Sequence, residues 1–149
     1  MKNMMLPAKS CSIILCSLLL LAAGCKPKEE PVDPQKALYG DVARPTWTVS
    51  DDYDYTSSMT AVISMDSLVT SSEDVLAAFI DDECRGIATY DSGLFYLYIA
   101  GPGETVTLRY WSAQYTNLFA AEPISFVNDV QLGSTAEPYK PVFVVATDK

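Results

Sequence analysis

The chain has 149 residues, no histidine and a formal net charge of −9. Its length predicts one folded domain with a tail, and the lack of histidine removes the commonest general base and metal ligand near neutral pH. Lys2 and Lys9 are the only charged residues before Cys25, so the chain from Cys25 onward has a net charge of −11. So acidic a chain argues against nucleic acid as a partner, because the phosphates would repel it.

The first 24 residues combine a positively charged start with a short apolar stretch. Lys2 and Lys9 precede residues 13–23, which are mostly apolar. This stretch is too short to span a bilayer as a helix and suits a secretory signal. The segment L-A-A-G-C ends at Cys25 and resembles a bacterial lipobox, although Ala22 stands where leucine is usual. The resemblance implies cleavage before Cys25 and lipidation of its sulfur. An ordinary signal peptide and an uncleaved anchor are the alternatives, and the small residues before Cys25 disfavour both.

Residues 25–44 are predicted to be a lipidated cysteine followed by a linker. Their prolines favour an extended polyproline II conformation, and their charges keep the segment solvated. The acids Glu29 and Glu30 resemble the signal that sends lipoproteins of Bacteroidota to the outer surface. We therefore expect a lipid anchor in a bacterial outer membrane, with the folded domain exposed on the cell surface.

Residues 45–149 predict an all-β domain, an antiparallel β-sandwich of about seven or eight strands. The apolar residues recur with a period of two, which places Val106, Leu108 and Tyr110 on one face of a strand. No window of eleven or more residues has helical spacing. A short helix at residues 72–79, capped by S-S-E-D, is the alternative for one segment, but the run is short and ends in acids. The predicted strands are 58–65, 76–80, 85–90, 94–99, 105–111, 117–121, 124–127 and 142–146, with 117–121 paired to 105–111.

The stretch A-F-I-D-D-E-C-R-G, residues 78–86, raises the question of a reactive site. We predict a hairpin turn, because acids are favoured where they can bond nearby backbone N–H groups. Cys84 is predicted to be a buried apolar residue, since no histidine is present to lower its pKa. Arg85 is expected to pair with Glu83 or Asp82, and Gly86 to mark a bulge or a close neighbour.

The same stretch, L-A-A-F-I-D-D-E-C-R-G-I-A, resembles a recurrent segment of an uncharacterised extracellular module of Bacteroidota lipoproteins and secreted proteins. Further similarity lies in P-T-W at 45–47, L-R-Y-W-S-A at 108–113 and L-G-S-T-A-E-P at 132–138. The resemblance covers most of the body. It implies an all-β module that occurs alone or repeated in surface proteins, with no known reaction and no agreed binding residues.

Acidic side chains are numerous enough to suggest two kinds of chemistry. Asp51, Asp52 and Asp54, together with acids at 73–74 or 81–83, offer oxygen ligands for Ca²⁺. The chain lacks the D-x-D-x-D-G loop, so solvated turn acids are the favoured interpretation, and no metal or cofactor is predicted. Carboxylate pairs suit a glycosidase, but any chain this acidic contains such pairs, and we expect no catalysis.

Aromatic residues carry the remaining functional hypothesis. Trp111 and Tyr115 flank the turn S-A-Q and are predicted to be the aromatics best placed for exposure, where they would stack on sugar rings with Asn117 adding a hydrogen bond. Core or turn packing is nevertheless the favoured interpretation for both rings. The sequence therefore predicts a non-catalytic binding module for a glycan or protein partner. The second hypothesis is an accessory subunit of an envelope or pilus-like assembly, joined through a sheet edge.

Overall fold

In the computed structural model, which describes residues 38–103, 105–125 and 128–145, ten β-strands form two sheets. In chain order they are β1 (Tyr55–Ala61), β2 (Val75–Ile80), β3 (Glu83–Ile87), β4 (Thr89–Asp91), β5 (Leu94–Ala100), β6 (Thr105–Ser112), β7 (Asn117–Ala121), β8 (Ile124–Ser125), β9 (Gln131–Leu132) and β10 (Phe143–Val145). Sheet A has the order β4-β5-β1-β9. Sheet B has the order β10-β7-β6-β2-β3, with β8 paired to β6. The sheets pack against each other, which confirms the predicted β-sandwich.

The core lies between the sheets and follows the period of two. In β6, Val106, Leu108 and Tyr110 are buried, as predicted, and on the facing sheet Phe95 and Leu97 of β5 are buried as well. The rings of Phe95 and Tyr110 meet edge to face across the core, with centroids 6.0 Å apart. The predicted pairing of β7 with β6 is also confirmed.

The first predicted strand, 58–65, is displaced along the chain. β1 begins at Tyr55 and ends at Ala61, although Ile63 beyond it is still buried. The chain stays extended there because the Val62 N–H donates to the Tyr139 carbonyl at 2.9 Å. Alternating burial therefore continues past the end of the strand ladder.

The predicted strand 85–90 is two strands in different sheets. β3 ends at Ile87 in sheet B, and β4 begins at Thr89 in sheet A. Between them the Ala88 N–H still donates to the Leu76 carbonyl at 2.8 Å. The chain changes sheets at this point. The division of this segment into two strands and the unpredicted two-residue strand β9 together bring the number of strands to ten instead of eight.

The alternative of a helix over residues 72–79 is wrong. This segment contains most of β2, whose six residues are all buried between β6 and β3. Burial on both faces explains why its apolar run lacks alternation. In the described residues no helix is long and apolar enough to cross a membrane.

Residues 38–49, which we call the N-terminal segment, pack against sheet B, and Trp47 and Val49 cover part of its outer face. Trp47 packs edge to face on Phe79 at a centroid distance of 5.2 Å, over a small buried cluster that also contains Ala77 and Cys84. Residues 38–44 are predicted as linker, but Gly40 and Val42 in this range donate backbone hydrogen bonds to the folded domain. The predicted signal peptide (1–24), Cys25 and the rest of the linker lie outside the described residues.

Candidate functional site

The stretch A-F-I-D-D-E-C-R-G forms the β2–β3 hairpin. β2 ends at Ile80, β3 begins at Glu83, and Asp81 and Asp82 between them have φ angles of 51° and 64°. Positive φ at both central positions is the geometry of a type I′ turn, which suits the twist of paired strands and which Asp tolerates. The predicted hairpin turn is confirmed.

Cys84 is buried on the outer side of this hairpin, as predicted. Its side chain packs with Ala77 and Phe79 beneath Trp47, and burial raises the pKa of its thiol. A nucleophilic cysteine needs a lowered pKa and access to substrate. Cys84 has the opposite environment and acts as a small apolar side chain.

Arg85 is the extra residue of a β-bulge. Ala78 pairs with Gly86 and Phe79 pairs with Cys84, so Arg85 has no partner across the β2–β3 ladder. The bulge changes the direction of the side chains, and both Cys84 and Arg85 are buried. The predicted bulge near Gly86 is therefore confirmed.

The guanidinium of Arg85 ties three parts of the chain together. It pairs with the Glu83 carboxylate at 2.9 Å, as predicted, and donates through Nη1 to the Ala100 carbonyl at 3.3 Å. It also lies 3.6 Å from the centre of the Tyr53 ring. Arg85 thus holds the loop before β1 against the end of β5, which is a positioning role.

The three residues predicted to bind a ligand are buried. Trp111 is 7% exposed, and its Nε1 donates to the Val42 carbonyl at 2.9 Å. Tyr115 is 1% exposed, and its hydroxyl donates to the Asp66 carbonyl at 2.8 Å. Asn117 is also buried, and its Nδ2 donates to the backbone of the N-terminal segment at 3.1 Å. Trp111 and Tyr115 take part in core and turn packing, which the sequence favours over ligand contact for both rings.

Asp74 is the centre of a buried polar network. Its carboxylate accepts hydrogen bonds from the Tyr110 hydroxyl at 2.7 Å, the Ala113 N–H at 2.9 Å and the Ser71 N–H at 2.9 Å. Burial, followed by the hydrogen bond to Asp74, raises the pKa of Tyr110 well above its ordinary value. These contacts join β6 to the turn before β2.

The candidate calcium ligands are dispersed. Asp51, Asp52 and Asp54 are exposed in the loop before β1, whereas Asp74 is engaged in its buried network. Among the described residues, no three acidic or cysteine side chains come close enough together to hold a metal ion. Asp82, one of the acids at 81–83, pairs with Arg109.

An exposed pair of tyrosines lies on the outer face of sheet A. Tyr55 of β1 and Tyr98 of β5 are 64% and 63% exposed, with ring centroids 6.2 Å apart and ring planes inclined at 67°. The rings line an open cleft of about 380 Å³ together with Ser58, Asp129 and Gln131. This volume is near the lower end of the range for ligand sites. We call it the Tyr55–Tyr98 cleft.

The polar wall of the cleft is fixed to β1 through its backbone. The Asp129 N–H donates to the Thr56 carbonyl at 3.1 Å, and the Ser58 N–H donates to the Val130 carbonyl at 3.0 Å. Within the described part of the chain, the side chains of Ser58, Asp129 and Gln131 make no hydrogen bond to another residue. A carboxylate, an amide and a hydroxyl are therefore available beside two aromatic rings.

This cleft is not predicted from the sequence, although the alternation of residues in β5 indicates that Tyr98 is exposed. Leu97 and Ile99 face the core, so the period of two places Tyr98 on the outer face. The meeting of Tyr98 with Tyr55 requires the β1–β5 pairing, in which Tyr98 lies opposite Ser58. The local sequence does not determine which strands pair.

A second surface lies along β10, at the edge of sheet B. Val142 and Val144 are 70% and 59% exposed. An apolar groove of about 520 Å³, which we call the β10 groove, is lined by Phe143, Val145 and Met65 among others. In the described residues β10 pairs on one side only, with β7.

Comparisons of the chain with protein-family models, with curated proteins and with solved structures found no match. Its function therefore has to be inferred from the residues of its own surfaces.

Proposed function

We propose that this chain is a lipoprotein of a bacterial outer membrane, acylated at Cys25 and exposed on the cell surface, whose β-sandwich binds a glycan without catalysis. The observation that carries this function is the exposed pair Tyr55 and Tyr98 beside unengaged polar side chains. The site differs from the predicted one, because Trp111 and Tyr115 lie in the packed interior.

Sugar rings are suited to this combination of groups. A sugar ring has an apolar C–H face and a rim of hydroxyls, and a tyrosine ring offers a flat apolar surface with a polar tip. The carboxylate of Asp129 accepts hydrogen bonds, while the amide of Gln131 and the hydroxyl of Ser58 both donate and accept. The rings of Tyr55 and Tyr98 contact each other edge to face and form one aromatic wall, against which a sugar packs its C–H face with its hydroxyls toward these polar groups.

Anchoring at Cys25 is supported by sequence features alone. The segment L-A-A-G-C, the charged linker and the acidic body all suit a protein held outside the cell. Several acyl chains on one cysteine hold a protein firmly on a membrane. The folded domain then needs no lipid-binding surface of its own, which leaves its exposed surfaces available to a soluble ligand.

Replacing Tyr98 with alanine is expected to weaken glycan binding about 30-fold, because truncating a central aromatic side chain costs about 2 kcal/mol. The full chain, purified in detergent, is tested by affinity electrophoresis and calorimetry against a panel of soluble polysaccharides. Mass spectrometry of the same preparation determines whether Cys25 is acylated. Tyr98→Phe keeps the ring and should retain most of the affinity.

The matched control is Tyr39→Ala, because Tyr39 is 59% exposed and does not line the cleft. It should leave binding unchanged. The assignment fails if no polysaccharide in the panel binds. It fails equally if Tyr98→Ala and Tyr39→Ala bind as well as the wild-type chain.

The second candidate function, an assembly subunit joined through a sheet edge, is favoured by the β10 groove. An exposed edge strand beside an apolar groove is a surface to which a partner strand can add. Val144→Lys places a charge on this edge, which opposes such pairing. A partner protein that co-purifies with the wild-type chain and with Tyr98→Ala, but not with Val144→Lys, would favour this function over glycan binding.

A further inference from the structure

We infer that the Tyr55–Tyr98 cleft selects neutral glycans and rejects glycans that carry carboxylate or sulfate groups. This inference rests on the proposed function and adds the class of ligand. It follows from the charges that line the cleft and from the positions of the basic side chains.

The cleft has an acidic wall and no basic one. Asp129 is the acidic side chain among its lining residues, and of the lysines and arginines that the structure describes, none lines it. The loop that leads into β1 adds Asp51, Asp52 and Asp54, which are exposed just before Tyr55. Together these carboxylates give this end of sheet A a negative potential.

The arginines near this end of the sandwich are engaged elsewhere. Arg85 is buried against Glu83 and the Tyr53 ring. Arg109 pairs with Asp82, and its guanidinium lies 4.1 Å from the centre of the Phe79 ring on the other sheet. The two basic residues that remain in the described ranges do not line the cleft either; Arg44 donates to a backbone carbonyl, and Lys140 lines a different cavity.

Proteins recognise carboxylate, sulfate and phosphate groups chiefly through arginine and lysine, which form charge-assisted hydrogen bonds. An acidic sugar in this cleft would bring its anion close to Asp129 without such a partner. A neutral sugar meets no repulsion, and its hydroxyls donate to the Asp129 carboxylate while its C–H face contacts the tyrosine rings. The same side chain therefore favours one class and opposes the other.

The test uses one polysaccharide in two charge states. The neutral polysaccharide that binds the full chain most tightly is oxidised at its C6 primary hydroxyls to carboxylates, and both forms are titrated at low and high ionic strength. We expect oxidation to weaken binding at least tenfold at low salt. High salt and Asp129→Asn should each recover part of this loss, because both reduce the repulsion.

The outcomes separate the two claims. If the oxidised form, or any acidic polysaccharide, binds as tightly as the neutral form and Tyr98→Ala abolishes that binding, the cleft is the site and the inference of neutral ligands is overturned. If oxidation weakens binding but neither salt nor Asp129→Asn changes the loss, shape rather than charge is responsible, and the inference is again overturned. If binding does not depend on Tyr98, the proposed function itself fails.

Discussion

Replacing Asp74 with alanine is expected to lower the free energy of unfolding by about 3 to 5 kcal/mol. The substitution removes the acceptor shared by the Tyr110 hydroxyl and the Ala113 and Ser71 N–H groups. The Tyr110 hydroxyl is buried and the two N–H groups are partly buried, and a buried donor left without a partner costs about 1 to 3 kcal/mol. A domain of this size is stable by only about 5 to 15 kcal/mol, so the melting temperature should fall by roughly 10 to 20 °C.

The control for Asp74→Ala lies next to it in the chain. Glu73 is exposed, and Glu73→Ala removes the same charge without touching the buried carboxylate. It should change stability by less than about 0.5 kcal/mol. Asp74→Asn keeps one side-chain oxygen as an acceptor and should fall between the two. Urea unfolding followed by circular dichroism measures all three, and equal stabilities for the two alanine variants would contradict the network.

Replacing Gly86 with alanine is expected to destabilise the sandwich by about 3 kcal/mol and to displace Tyr98. A Cβ at position 86 would lie 2.1 Å from the Tyr98 carbonyl oxygen and 3.1 Å from Leu97 Cδ1. The obstacle is backbone of the opposite sheet, so a change of side-chain rotamer cannot relieve it. Forcing atoms into a packed core costs about 1 to 3 kcal/mol, and more where backbone must move.

Because Gly86 contacts the backbone of Tyr98, this substitution links stability to the proposed site. Gly86→Ala should weaken Tyr98-dependent binding even at temperatures where the protein is folded, since the ring moves with its backbone. The control is Ile87→Ala, on the same strand at an exposed position. Wild-type stability and binding in Gly86→Ala would mean that β3 and β5 do not approach each other at this point.

The strands and the inward-facing residues could be predicted because they depend on local alternation. Val106, Leu108 and Tyr110 were assigned to one face from their spacing alone, and the Asp81–Asp82 turn from its composition. Each of these features is decided within a few residues. They do not depend on which strands become neighbours in the folded chain.

Exposure of the aromatic residues could not be predicted in the same way. Trp111 lies on the face of β6 opposite to Tyr110, where alternation favours exposure, but the N-terminal segment covers that face through contacts about 70 residues apart in the chain. Conversely, the Tyr55–Tyr98 cleft exists only because β1 pairs with β5 and the chain at 129–131 returns beside β1. Both depend on long-range pairing, which alternation does not encode.

The N-terminal segment also decides how the domain responds to mechanical force. A pull on the chain before Leu38 acts first on the hydrogen bond from Asn117 Nδ2 to the Leu38 carbonyl and on the backbone bonds that Gly40 and Val42 donate to residues 115 and 116. It then acts on the bond from Trp111 to the Val42 carbonyl and on the Trp47 contact. Their rupture would release residues 38–49, which extend to about 40 Å, while the strands that form the Tyr55–Tyr98 cleft stay paired. If the chain is anchored at Cys25 as proposed, it would lengthen under shear before the proposed glycan site is disrupted.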